Sequence, residues 1–437
     1  GKLLGVAKGY FALASAFVAS IKSFLVDDNI DDFMVILLFI IPVFGLTHFL
    51  LVQRTQRNYA KNYSSKIDMG YTFCFDPIPM GIQPNQDYFA SMKYIDPSHS
   101  NSNSVSIRPM GVASIKDNGN FCLWYTIAIC LSIVLALVSV LNVYLTFNIE
   151  TRYGIFIIIL ILYLSVWIIA ITFHGNIVVS DKTKDNKIKV QIKDSHHEES
   201  SQVSIVSEQI GIPHILFTIE FWFLYIIAII ITGVGLSYIN NISQIIESSG
   251  STATNDNKSK SVSDSLVTLS AFGNFLGRIA AGYISDKYRS KYPRIFFLFY
   301  AGLFMTLSNG YLFIVSYWYY DINRIWTYFI GSLMIGFSFG WMITLNISAV
   351  ADLWGTQYLS GNYALVDSAP IVGSIIFSTL IFSKLYLHES DSQNVSGYCY
   401  GNGCFKWQFL VGSASACLAM IAWAILWYKI RRRLVIP

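Results

Sequence analysis

Long apolar runs separated by polar breaks dominate this chain. A helix needs about 20 mostly apolar residues to cross the hydrocarbon core of a bilayer. Ten stretches have that character: 3–25, 33–52, 121–147, 154–178, 214–239, 265–285, 295–316, 326–350, 361–387 and 407–428. Several carry Gly, Pro or Asn, among them Pro42, Gly233, Gly235, Asn274, Asn346 and Pro370. Membrane helices tolerate such residues where neighbouring helices satisfy the backbone. Two polar stretches, 53–120 and 179–213, are rich in Ser, Asn, Asp and Lys and read as linkers. The pattern predicts an all-α integral membrane protein with ten transmembrane helices.

Composition agrees with that reading. Of 437 residues, 54% are hydrophobic and 13% charged, against about 25% charged in soluble domains. The net charge of +4 is small and unevenly placed, and gives no case for a nucleic-acid partner. Lys and Arg favour the cytoplasmic side of a membrane protein. With 53–120 inside, twenty Lys and Arg fall in the inner segments, including those of 179–193, 287–294 and 429–433. The outer loops hold Arg152, Lys258, Lys260 and Arg324, and the first is the acidic run Asp27-Asp28-Asn29-Ile30-Asp31-Asp32. Both linkers and the C-terminus are therefore expected in the cytoplasm.

Residues 273–294 carry the most chemistry. Gly273, Gly277 and neighbouring alanines allow close helix approach, and Arg278 is an arginine at membrane depth. The run then turns polar at Gly282, Asp286, Lys287, Arg289, Lys291 and Arg294. The pattern Gly-x-x-x-Asp-Lys followed by basic residues resembles the loop joining the second and third helices of each half in the major facilitator superfamily of secondary transporters. The resemblance narrows to its nodulin-like branch. It rests on Gly5 to Tyr10, Ile41-Pro42, Glu220, Gly233-Val234-Gly235, Asn240 to Gln244, Gly273 to Arg278, Gly336 to Gly340, Asp352 to Gly355, Asn362 and Cys399 to Phe405, in that order. Asn240 departs from the family's preferred aspartate.

The resemblance implies a helical bundle of two six-helix halves, in the 14-helix variant with two inserted helices. Residues 1–52 then form the last two helices of the N-terminal half and 53–120 a linker. Residues 121–178 are the two inserted helices, 179–213 a second linker, and 214–437 the complete C-terminal half. The first four helices of the N-terminal half are expected in a longer polypeptide of which this sequence is a part. The implied function is secondary transport of a small solute by alternating access, with an organic anion, an amino acid or a metal species as substrate. A coupled proton or sodium ion and the lipid bilayer are the further expected partners. The alternative is the same fold used as a non-transporting sensor, receptor or structural subunit.

Arg278, with Asn274 one turn before it, is the candidate contact for an anionic solute, or else a cation paired with a carboxylate. Glu220 and Asp367 are candidate proton carriers, because burial favours the neutral form of a carboxylate. The bland reading of Glu220 is an interfacial group near His214. Asn240, Asn241 and Gln244 are candidate cavity residues at an outer helix end, with glycosylation of Asn241-Ile242-Ser243 as the other reading. Gly282, Asp286, Lys287 and Lys291 form the expected cytoplasmic gate. Cys399 and Cys404, in an outer Gly/Asn loop, are a candidate disulfide. Cys122, Cys130 and Cys417 lie in spans and read as packing residues, and His196-His197 as a solvated pair with no metal. No cofactor is expected. No phosphate-cradling Gly-x-x-x-x-Gly-Lys loop, His-Glu-x-x-His or Gly-x-Ser-x-Gly occurs, which argues against ATP-driven pumping and hydrolysis and so against an enzyme.

Overall fold

The computed structural model describes residues 118–145, 148–173, 204–205, 210–248, 256–289, 291–318, 325–355, 358–393, 399–431 and 434–435, with isolated positions at 13, 14, 16–18, 21 and 38. The expected span 33–52, most of 3–25, the linker 53–120 and most of 179–213 lie outside the described residues. By its contacts the chain forms two units; the account below concerns the larger, 1–35, 120–169 and 188–437.

Two long helices come first, α1 (Asn118–Tyr144) and α2 (Ile149–Phe173). A short strand β1 (Ser204–Ile205) and a single turn α3 (Ile212–Ile215) precede the main bundle. That bundle comprises α4 (Ile219–Asn240), α5 (Ile242–Ser248), α6 (Asp256–Lys287), α7 (Leu298–Trp318) and α8 (Ile325–Trp354). The expected span 361–387 is not one regular helix. It runs as α9 (Leu359–Val366), α10 (Ala369–Gly373), a π-helical segment over 374–381, and α11 (Phe382–Ser392). Pro370 explains the first break, since proline disfavours helical geometry in the residue before it and donates no amide hydrogen bond. The last helix is α12 (Lys406–Arg431), followed by β2 (Leu434–Val435).

Six of the described helical stretches are long and apolar enough to cross a membrane: Thr126–Tyr144, Ile219–Asn240, Arg294–Tyr317, Trp326–Trp354, Leu359–Ser392 and Gly403–Arg431. Strand β1 pairs antiparallel with β2, Ser204 opposite Val435 and Ile205 opposite Leu434. The last residues of the expected second linker are thus held against the chain beyond α12.

Small residues decide how the bundle closes. A β-carbon added at Gly273 or Gly277 of α6 would fall on the carbonyl oxygen of Leu333 or Phe337 of α8. Gly336 and Gly340 of α8 meet the carbonyls of Ser270 and Asn274 in the same way. Two Gly-x-x-x-Gly pairs thus face each other, so backbone meets backbone and dispersion and weak Cα–H···O contacts replace side-chain packing. A second crossing of this kind joins α4 to the broken helix, where an added Cβ on Gly233 would lie 2.7 Å from Gly373 Cα.

Indole groups fix the other contacts. Trp341 donates to the Phe297 carbonyl at 2.9 Å, tying α8 to the start of α7. Trp423 of α12 donates to the Ile295 carbonyl at 3.1 Å. At the other end of the bundle Ser261 and Ser265 of α6 donate to the carbonyls of Asn142 and Ser139 in α1, at 3.1 and 2.6 Å. Phe17 stacks on Tyr163 of α2 with centroids 4.3 Å apart. Cys130 and Cys417 correct the packing reading given them above: both are exposed, with no buried position in the described residues.

Candidate functional site

Four of the polar groups among the described residues bear on the candidate site. The first lies on α6, where Asn274 and Arg278 are one helical turn apart and therefore on one face. Arg278 is 4% exposed, and its Nε donates to Oδ1 of Asn274 at 2.8 Å. Asp367 follows the last residue of α9, and Tyr363, four residues earlier, donates its hydroxyl to Oδ1 of Asp367 at 2.7 Å. Asp367 and Tyr363 both stand within electrostatic reach of Arg278. Two separately chosen candidates, Arg278 and Asp367, thus stand within electrostatic reach of each other. Asp367 itself is exposed, so the network opens on its carboxylate side.

The second group closes the α6 end. Among the described residues Asp286 has a basic partner other than the two lysines named with it. Arg294 Nη2 donates to its Oδ1 at 2.8 Å, and the Arg294 backbone amide donates to Oδ2 of Asp352 at 3.2 Å. Three helix ends, those of α6, α7 and α8, are latched within one bundle. Lys287 instead stands over the rings of Tyr288 and Tyr283, at 5.6 and 6.0 Å, and Lys291 is exposed. Gly282 is buried, and its carbonyl accepts from Ser285. Sequence reading missed Arg294 and Asp352 as partners. Pro293, itself extended, starts the 3-10 turn Arg294–Phe297 that leads into α7.

Glu220, in the first turn of α4, is 4% exposed. Lys429, in the last turn of α12, lies 3.4 Å from its Oε1.

The fourth group sits where α4 ends. Asn241 donates to the Ser237 carbonyl at 2.7 Å and to Ser378 Oγ at 3.2 Å. Asn240 donates to Ser374 and Ser378 at 3.3 and 3.4 Å. Ser237 donates to the Phe377 carbonyl at 3.0 Å and accepts from Gln408 Nε2 at 3.0 Å. The amide nitrogen of Asn241 is used inside the bundle, which leaves it poorly placed as a glycan acceptor. Gln244, on α5, makes no hydrogen bond to this group among the described residues. Sequence reading named the two asparagines but missed Gln408 and the serines, which belong to other helices.

Beyond it, Cys399 and Cys404 are bonded, with Cα atoms 5.9 Å apart. Their loop is fastened on several sides: the Gly401 amide donates to the Ser248 carbonyl at 2.6 Å, and Cys399 N to the Tyr386 hydroxyl at 3.1 Å. Gln393 exchanges two hydrogen bonds with the Tyr400 backbone, both 2.9 Å. No cluster of three or more His, Cys, Asp or Glu side chains suited to a metal occurs among the described residues.

A multi-pass helical bundle with charged networks inside it is the architecture of an integral membrane protein. Residues 203–436 match the family model described as "NFD4, C-terminal domain". That match covers more than half of the sequence, and the chain belongs to this nodulin-like family. It is similar to the "Probable transporter mch1" of Emericella nidulans, 24% identical over 244 residues, which are 49% of this chain and 38% of that protein. The protein of the same name from Aspergillus fumigatus is 24% identical over 245 residues, 49% and 39% of the two chains. The "Probable transporter MCH1" of Debaryomyces hansenii is 31% identical over 213 residues, 48% and 39%. The matched region thus spans less than half the length of these relatives. Membership of this family and the apolar helices together make the chain an integral, multi-pass membrane protein.

Proposed function

We propose that this chain supplies the C-terminal half of a secondary transporter that moves a small anionic solute by alternating access. The observation that carries the reading is the buried Arg278, bonded to Asn274 and within electrostatic reach of the Asp367–Tyr363 pair. An unpaired guanidinium at membrane depth is costly, so a counter-charge is needed in every state. In the empty site Asp367 supplies it. A solute carboxylate entering from the exposed Asp367 side takes that place on Arg278 and leaves Asp367 to water or to a proton. The bound and empty sites then differ in which anion neutralises the same cation, and that difference is what a solute needs to shift a conformational equilibrium.

Residues 214–437 form the six-helix half in this reading, and the Asp286–Arg294–Asp352 latch sits at its cytoplasmic end. The distribution of Lys and Arg supports that orientation. Lys406, at the start of α12, is a fifth outer basic residue beside Arg152, Lys258, Lys260 and Arg324, still far below the inner twenty. Glu220, tied to Lys429 at the same end, joins Asp367 as a candidate carrier of a coupled proton.

Reconstitution of the full-length polypeptide in proteoliposomes tests the proposal. Carboxylate solutes should be taken up under a proton or sodium gradient, and Arg278→Ala should abolish this while the protein remains folded. Absence of flux over a broad solute panel would move the protein to the sensor, receptor or structural class.

A further inference from the structure

Asp367 can serve as counter-charge to Arg278 only from a fixed place, and the helix that carries it is too short to fix it alone. Helix α9 has eight residues and is interrupted at both ends. Before it the chain turns at Gly355, whose φ of 74° is left-handed, and Pro370 follows three residues beyond Asp367. A helix of this length does not hold its own orientation. Two hydrogen bonds to other elements flank the Tyr363–Asp367 pair instead.

The first comes immediately before the pair. Asn362 and Val366, one turn apart on α9, are both 0% exposed. Asn362 Nδ2 donates to the Ile210 carbonyl at 2.8 Å, while its Oδ1 has no hydrogen-bond partner. That single bond is therefore the polar tie of this side chain among the described residues. The Ile210 amide donates in turn to the Trp354 carbonyl at 3.4 Å, so one residue joins the end of α8 to α9. Ile212 lies against Gly361, where an added β-carbon would meet its side chain at 3.0 Å.

The second bond comes immediately after the pair. Ser368 gives its hydroxyl hydrogen to the Leu365 carbonyl at 2.7 Å, and so accepts from the Tyr225 hydroxyl, 2.8 Å away. The Tyr225 ring is itself stacked on Phe221 of α4, with centroids 5.3 Å apart.

We infer that Asn362 and Tyr225 are positioning residues, which clamp α9 from both sides and hold Asp367 within reach of Arg278. Turning α9 about its own axis would keep its internal hydrogen bonds and carry Tyr363 and Asp367 away from α6. Successive helical residues are about 100° apart, so any such turn moves Asn362 by the same angle and breaks its bond to Ile210. The bond from Tyr225 resists the turn at the other end. The inference rests on the solute reading only for its consequence for uptake.

Thermal midpoints of the purified full-length protein in detergent test the clamp without any flux measurement. Asp367→Asn removes the counter-charge and should lower the midpoint of the wild-type protein. In the Asn362→Leu or the Tyr225→Phe background the same substitution should lower it by less than half as much, because the carboxylate is no longer held in place. A merely supporting role gives lower midpoints with an undiminished Asp367→Asn effect, and that result would overturn the inference. So would an Asp367→Asn variant as stable as wild type, since there is then no pair to position. Tyr225→Phe deletes one hydroxyl and keeps the stacked ring, so it carries the test if Asn362→Leu fails to fold. In proteoliposomes both variants should raise the carboxylate concentration for half-maximal uptake about fivefold, the effect of one hydrogen bond, with the maximal rate changed less. An unchanged half-saturation in a protein that takes up carboxylates would also overturn the clamp. Absence of carboxylate uptake with the midpoint pattern intact would count against the solute reading and leave the positioning role standing.

Discussion

Gly277 of α6 lies so close to the Phe337 carbonyl of α8 that no β-carbon fits between them. This contact sets the depth and rotation of the helix that carries Asn274 and Arg278. A Cβ on Gly340 would in turn strike the Asn274 carbonyl and Oδ1. Helix packing and the geometry of the charged network are therefore one feature.

Gly277→Ala should destabilise the protein by about 1–3 kcal/mol, the usual penalty for overpacking. Gly154→Ala serves as the control, since nothing lies within 4 Å of its added methyl and alanine is the better helix former. The thermal midpoint in detergent should fall in the first variant and hold or rise in the second.

The latch should behave as a pair. Asp286 and Arg294 side chains are 22% and 16% exposed, so water still screens their attraction and about 1 kcal/mol is a fair ceiling. Asp286→Asn and Arg294→Gln should each shift the inward–outward equilibrium up to about fivefold, and the double variant no further. Accessibility of single cysteines to a membrane-impermeant reagent reads this shift. Additive effects would show that the two side chains act separately.

Asn274→Ala removes the acceptor that orients Arg278 and keeps the charge. It should weaken apparent solute affinity about fivefold, the worth of one hydrogen bond of about 1 kcal/mol. Arg278→Ala should lose much more, and neither variant should alter the cysteine accessibilities set by the latch. Uptake measured against solute concentration separates the two effects.

The Cys399–Cys404 loop joins the ends of α5, α11 and α12 through Ser248, Tyr386 and Gln393. Removing the bond by Cys404→Ser should lower stability by about 2 kcal/mol, the chain-entropy value for so short a loop. A reductant should lower the midpoint of the wild-type protein and leave that of the variant unchanged.

The sequence by itself determined the class. Apolar runs of spanning length, the small residues around Arg278 and the Gly282–Asp286 turn all follow from composition and local spacing. So does the 274–278 pairing, because residues one turn apart on a helix meet whatever the rest of the fold does. Tertiary structure alone decided the partners. Arg278 with Asp367, Glu220 with Lys429, and Gln408 with Ser237 join helices 89, 209 and 171 residues apart in sequence. No periodicity encodes such pairs, since they depend on how far two helices slide and rotate before their backbones touch. The irregular run after Pro370 is the same lesson at short range. Proline marks where the helix breaks, but the contact between Gly373 and Gly233 fixes the segment against α4, and only packing reveals it.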